Sequence, residues 1–227
     1  LYDYTLFSCT TIPSLVVINA AVANGMDVSL EFVVRNILPV AGNENTLSIL
    51  DAYCSKKLVD DDVFRILNFA CTCKDSKTAV GALDCLKRGN QYVLVPSKTV
   101  IAMLSERDLT ASDKISILDK LFEFKVEAKS VEAVMTNYLC FNQDPVATRK
   151  EVILYLLDKS PQLPTSTVQN YVLKCAVDGN EKPAIVKAIF DKGLNTSFFN
   201  ELLSKYMNSS TDSNEVKAEI TDILSGG

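Results

Sequence analysis

The chain has 227 residues, with 23 basic and 28 acidic side chains and a net charge of −5. That balance supplies no global basic field to draw in phosphate, and no apolar run reaches the ~18 residues that a membrane span needs. Histidine is absent, which removes histidine-dependent triads, Cys–His nucleophiles and histidine metal sites.

Helical periodicity divides the chain into seven helix pairs, here called repeats. Repeat one, residues 1–27, has a short first helix around Tyr4 to Cys9. Ile12, Pro13 and Ser14 open its second helix, and Asn24-Gly25 end it. Repeat two, 28–61, pairs 29–40 with 45–58 across the turn Ala41-Gly42-Asn43-Glu44. Repeat three, 62–96, pairs 63–73 with 76–88, capped at Asp75 or Ser76; residues 89–96 then read as an extended link.

Repeat four, 97–130, pairs 98–108 with 112–124. Repeat five, 131–164, pairs 131–139 with 146–159 across the turn 140–145. Repeat six, 165–197, is the clearest. Tyr171, Val172, Cys175 and Ala176 recur at helical spacing in its first half, and Ile185, Val186, Ile189 and Phe190 in its second. Asp178-Gly179-Asn180 stops one helix and caps the next, Pro183 is tolerated near the second helix start, and Gly193 closes the pair. Repeat seven, 198–227, pairs 198–207 with 214–224 after a polar turn.

The second helices carry the period. Val22, Tyr53, Leu86, Phe122, Leu157, Phe190 and Leu224 stand near their ends, at steps of 31, 33, 36, 35, 33 and 34 residues. One residue earlier come Ala21, Ala52, Cys85, Leu121, Leu156, Ile189 and Ile223. Four earlier come Ile18, Ile49, Ala82, Leu118, Ile153, Val186 and Ile220. All three columns are apolar throughout. A helix pair cannot bury its apolar face alone, so a period near 34 predicts an all-α solenoid, a single elongated domain over 1–227. The seven cysteines sit within apolar patterns, as free thiols of a reducing compartment do. A chain opening on Leu1 is expected to be a fragment of a longer protein.

The helix-pair families near this period differ in their motifs. No Trp and no Leu-Gly…Tyr cluster matches the tetratricopeptide pattern, and HEAT and armadillo units are longer. STVQNYVLKC (166–175), KAIFDKG (187–193) and GALDCLKRG (81–89) resemble the pentatricopeptide (PPR) repeat, in a degenerate form similar to the leucine-rich PPR proteins of animal mitochondria. The resemblance implies binding of single-stranded RNA in the mitochondrial matrix, supporting transcript stability or translation. One base would be addressed per repeat from the first helix. The base-reading positions would be Tyr4, Glu31, Arg65, Ala102, Glu132, Asn170 and Asn200. Of these only Asn170 and Asn200 match the amide that the family favours. Lys174, one turn beyond Asn170, would lie near the backbone, and Arg35 and Arg65 would take comparable places in earlier repeats.

Other constellations carry less. Cys71-Thr72-Cys73 is too tight for zinc spacing, and Asp60-Asp61-Asp62 precedes a helix, where carboxylates favour the positive end of the dipole. Lys56-Lys57, Lys87-Arg88, Lys125, Lys159 and Lys192 recur at the ends of second helices. They either suit the dipole or form a basic edge that guides phosphate. No Gly-rich phosphate loop is present, so the chain is expected to be no enzyme, with no cofactor, metal or small-molecule substrate. Two partners remain in view: single-stranded RNA, or a protein held on a scaffold without direct RNA contact.

Overall fold

The computed structural model describes residues 12–26, 28–39, 42–92, 94–126, 128–141, 143–159, 165–174, 181–192 and 196–226. Among them the chain is all-α. Its helices are α1 (Ile12–Ala23), α2 (Leu30–Asn36), α3 (Asn43–Cys54), α4 (Asp60–Thr72), α5 (Ser76–Arg88), α6 (Ser97–Leu104) and α7 (Ala111–Phe122). They continue with α8 (Ala128–Phe141), α9 (Val146–Lys159), α10 (Thr165–Lys174), α11 (Glu181–Phe190), α12 (Thr196–Ser209) and α13 (Asn214–Ser225). The only strands among the described residues are β1 (Leu94–Val95) and β2 (Lys125–Val126), paired in parallel with Leu94 opposite Lys125. The extended link read at 89–96 is thus partly strand. The first helix of repeat one and the turns holding Asp178-Gly179-Asn180 and Gly193 lie outside the described residues.

The contacts divide the chain into two compact units, Leu1–Val95 with Ser116–Val126, and Pro96–Ile115 with Glu127–Gly227. In unit 1, second helix packs on second helix, α1 on α3 and α3 on α5, while the first helices α2 and α4 pack on each other. In unit 2, α6, α8, α10 and α12 pack in succession, as do α9, α11 and α13. Within each unit, helices two apart in sequence therefore meet.

The apolar columns explain this packing. Ile18, Ile49, Ala82, Leu118, Ile153, Val186 and Ile220 are all buried. Ala21, Ala52, Phe122, Phe190 and Ile223, at the margins of the other two columns, are half-buried. Close approach is strictest at the end of α5. A Cβ on Gly89 would stand 2.1 Å from the Cys54 carbonyl oxygen, so only glycine lets α5 end against the end of α3. Beside it Gln91 donates from Nε2 to the Lys56 carbonyl at 2.8 Å and accepts from the Leu58 amide at 3.3 Å. This amide ties the tail of one repeat to the tail of the next.

Several expected boundaries move by a few residues. The helix read to residue 108 stops at Leu104, because the Ser105 amide bonds back to Ile101 and Ala102 in a tightened last turn. The three aspartates read as a preceding cap form the first turn of α4 itself.

Candidate binding groove

Helix α4 has two faces, set by its sequence. Val63, Ile66, Leu67, Ala70 and Cys71 recur at three- and four-residue steps and are buried. Asp62, Arg65, Phe69 and Thr72 occupy the opposite side. That side meets Glu31, Val34 and Arg35 of α2 across an open groove of about 780 Å³, a volume usual for ligand sites. Leu38 and Pro39 close one end. Thr46 of α3, the turn Cys73-Lys74-Asp75 and Thr78 of α5 complete it.

The polar lining is organised by carboxylates. Glu31 holds Arg35 at 3.0 Å with one oxygen and Arg65 at 3.2 Å with the other, and Arg65 also reaches Asp62 at 2.9 Å. Arg35 is exposed by 74% and Glu31 by 42%, while Arg65 and Asp62 are half-buried. Asp75 caps α5 by accepting from the Thr78 amide at 2.8 Å. The Thr78 hydroxyl is buried and has no hydrogen-bond partner among the described residues. Buried hydroxyls are seldom left so, because the lost hydration costs about 1–3 kcal/mol.

In unit 2 the polar chemistry is closed. The Lys114 ammonium is fully buried, paired with Asp144, bonded to the Leu104 carbonyl at 2.8 Å and placed 5.9 Å from the centre of the Tyr138 ring. The Tyr138 hydroxyl donates to the same carboxylate oxygen at 2.8 Å. The arrangement repeats 68 residues on. Lys182 pairs with Asp212 at 2.7 Å, lies 5.5 Å from the Tyr206 ring centre, and Tyr206 donates to Asp212 at 2.7 Å. Between them Arg149 pairs with Glu181, both buried. Burial pushes both tyrosine hydroxyls well above their usual pKa, and the neighbouring aspartate adds to it. For Asp212 burial acts upward, but the Lys182 ammonium and the Tyr206 hydroxyl outweigh it and hold the carboxyl below its usual value.

Of the residues singled out from sequence, Arg35 and Arg65 come together on Glu31. Asn170 is half-buried on α10 and Asn200 exposed on α12, two helices that pack on each other. Ala102 is exposed on α6; Tyr4 and the side chains of Glu132 and Lys174 lie outside the described residues. The proposed basic edge is largely ion-paired or bonded. Lys56 donates to the Val22 carbonyl, Lys87 pairs with Glu123, Arg88 with Asp51 and Lys192 with Asp158. Each partner lies one repeat away. The buried Lys–Asp–Tyr clasps do not follow from the apolar columns. Their signal is in the sequence: Lys, then Tyr 24 residues later, then Asp six further, occurs at 114, 138, 144 and again at 182, 206, 212.

Thiol chemistry is muted. Cys54 and Cys71 are buried, and burial pushes both thiols up to about 12. Cys85 is raised to about 11, again mainly by burial. Such thiols are poor nucleophiles at neutral pH. No cluster of metal-ligating side chains is present among the described residues. In comparisons with known proteins, no family model, no curated protein and no solved structure matches this chain.

Proposed function

We propose that the chain is a non-enzymatic α-solenoid of helix pairs that serves as a protein-binding scaffold. One observation carries the preference for protein over nucleic acid. The arginines that the RNA reading would place along the backbone, Arg35 and Arg65, are matched by Glu31 and Asp62, and Arg88 and Lys192 of the basic edge by Asp51 and Asp158. Lys114, Arg149 and Lys182 are buried in internal pairs. Binding a polyanion would require breaking these pairs within a chain of net charge −5.

Single-stranded RNA is the second reading, in keeping with the PPR resemblance and a mitochondrial matrix location. What favours it is the pair of amides Asn170 and Asn200 on packed first helices, since uncharged amides hydrogen-bond base edges. Fluorescence anisotropy with labelled oligo(U) and a mixed-sequence RNA, each at a low and a physiological salt concentration, separates the two. The scaffold reading expects no saturable binding at either salt. Saturable binding that falls steeply with salt and changes sequence preference in Asn170→Ala would overturn it in favour of RNA.

A further inference from the structure

The end of α1 joins a reactive sequence to a turn that α3 holds shut. Asn24-Gly25 is the one Asn-Gly pair in the sequence, and both residues are exposed. Gly25 has φ +83°; its amide bonds to the Val22 carbonyl at 3.0 Å, and the Met26 amide to the Ala21 carbonyl at 2.9 Å. This is the paired closure of a glycine-terminated helix. A Cβ on Gly25 would meet nothing within 4 Å among the described residues, so the turn is uncrowded. Two side chains from the end of α3 hold the backbone on either side of it. Lys56 donates to the Val22 carbonyl at 2.8 Å, and the Tyr53 hydroxyl to the Val28 carbonyl at 2.7 Å.

Asn36 provides a comparison within the same unit. Asn24 donates from Nδ2 to the Ala20 carbonyl at 2.7 Å, and Asn36, equally at an exposed helix end, donates to the Phe32 carbonyl at 3.0 Å. The residue that follows differs. Asn36 precedes Ile37, which is buried and still helical in its backbone. Asn24 precedes a glycine, whose amide nitrogen no side chain screens.

We propose that Asn24-Gly25 is a site of spontaneous deamidation, and that the packing of α3 on α1 sets its rate. The Gly25 amide nitrogen gives up its proton and bonds to Asn24 Cγ. A five-membered succinimide closes as the Cγ–Nδ2 bond breaks, and ammonia leaves with that proton. Water then opens the ring, giving aspartate by attack at Cγ or isoaspartate by attack at the main-chain carbonyl. While the turn is closed the Gly25 amide is engaged by Val22, so the reaction waits for the turn to open. Lys56 and Tyr53 oppose that opening. The product weakens the joint it came from. A carboxylate at residue 24 stands at the negative end of α1 and cannot donate to the Ala20 carbonyl. Isoaspartate also adds a methylene to the main chain inside the turn, which moves the Gly25 and Met26 amides off their acceptors.

The test incubates the whole chain in mildly alkaline buffer made with heavy-oxygen water and follows each asparagine by peptide mapping and mass spectrometry. Amide should be lost at Asn24 well ahead of Asn36, giving aspartate and isoaspartate together, each with one heavy oxygen. Lys56→Met removes one tie and should speed the loss at Asn24 about threefold or more, the weight of one hydrogen bond, with Asn36 unchanged. Tyr53→Phe, which loses only a hydroxyl, gives the same reading where Lys56→Met melts too early to use. Aged protein should melt below fresh protein. Loss at Asn36 as fast as at Asn24, or a product without isoaspartate, would overturn the site. An unchanged rate in the folded variants would overturn control by α3, and aged protein melting with fresh would overturn the effect on the joint.

Discussion

The two units use the same apolar columns and differ in how their repeats are joined by polar groups. In unit 2 three joints are buried, beside the surface pair Lys192–Asp158: Lys114, Arg149 and Lys182 reach acids of the following helix pair, and two of them lie against a tyrosine ring. In unit 1 the ion pairs between helix pairs are at the surface, Arg88 to Asp51, Lys87 to Glu123 and Arg65 to Glu31, and the buried tie is the uncharged Gln91 amide. Dispersion and the hydrophobic effect stack helices without choosing their register finely. A buried charge tolerates only one arrangement, since a slip leaves it unpaired in low dielectric. Unit 2 therefore has polar locks that fix its stacking. Unit 1 shows no such buried ion pair among its described residues and keeps an open groove between α2 and α4.

The largest effect should come from opening a clasp. Asp144→Ala leaves the fully buried Lys114 without its carboxylate and the Tyr138 hydroxyl without its acceptor. Breaking a buried pair from one side costs about 3–5 kcal/mol, so urea denaturation followed by circular dichroism should show the midpoint falling steeply. Replacing Lys114 by Met and Asp144 by Leu together should recover much of the loss. A loss below about 1 kcal/mol for Asp144→Ala would place this pair with ordinary surface pairs and erase the contrast between the units.

Next in size is the tight joint of unit 1. Gly89→Ala drives a methyl group into the Cys54 carbonyl oxygen, a backbone atom that cannot swing aside. Overpacking of this kind costs about 1–3 kcal/mol. Gly42→Ala, where a Cβ meets nothing within 4 Å, is the matched control and should be near neutral. Equal melting temperatures for the two variants would mean that the ends of α3 and α5 do not approach as closely as the structure has them.

Stability should also depend on pH, through buried thiols in unit 1 and a carboxylate in unit 2, with the raised tyrosine hydroxyls of unit 2 acting at higher pH still. The thiols of Cys54, Cys71 and Cys85, all in unit 1, have folded pKa values raised above the ordinary 9.0. Their contribution is present in full below pH 9 and is lost as pH rises from there toward about 12, because the unfolded state ionises first. Asp212, in unit 2, has a folded pKa below its ordinary 3.8. Its contribution is present above that value and is lost as pH falls below it through the folded pKa. Thermal melts from pH 8 to 11 should therefore flatten in Cys71→Ala, whereas melts below pH 4 should flatten in Asp212→Asn. A Cys71→Ala variant as alkali-sensitive as the parent would show that thiol ionisation is not what limits unit 1.

The sequence announces its helices through period and caps. Asp75 at the head of α5 and the columns through Ile153 and Val186 are readable because burial of an apolar face repeats every turn. The groove and the clasps were harder to foresee, since lysine is ordinarily a surface residue. Lys114 reads as one more solvated position until its partners, 24 and 30 residues away, are brought against it. The basic edge shows the opposite case. Arg88 and Lys192 stand where a linear reading puts bare cations, but Asp51 and Asp158 sit one repeat away and cancel them. Charge pairing across a repeat is invisible to any window shorter than the period.

The smallest effect concerns the exposed bridge of the groove, and it tests the contrast most sharply. Glu31 touches both Arg35 and Arg65, a geometry that resembles a lock on paper. Arg65 nevertheless retains Asp62 when Glu31 is removed, and Arg35 is largely in water. Exposed pairs contribute about 0.2–1 kcal/mol because solvent and salt screen them and both side chains lose rotamer freedom. A double-mutant cycle with Glu31→Gln and Arg65→Gln, read by urea denaturation, should therefore give a coupling under about 1 kcal/mol that shrinks further in high salt. A coupling of 2 kcal/mol or more, insensitive to salt, would make this bridge a structural lock like Lys114–Asp144. The groove would then be a closed joint of the stack rather than a surface open to a partner.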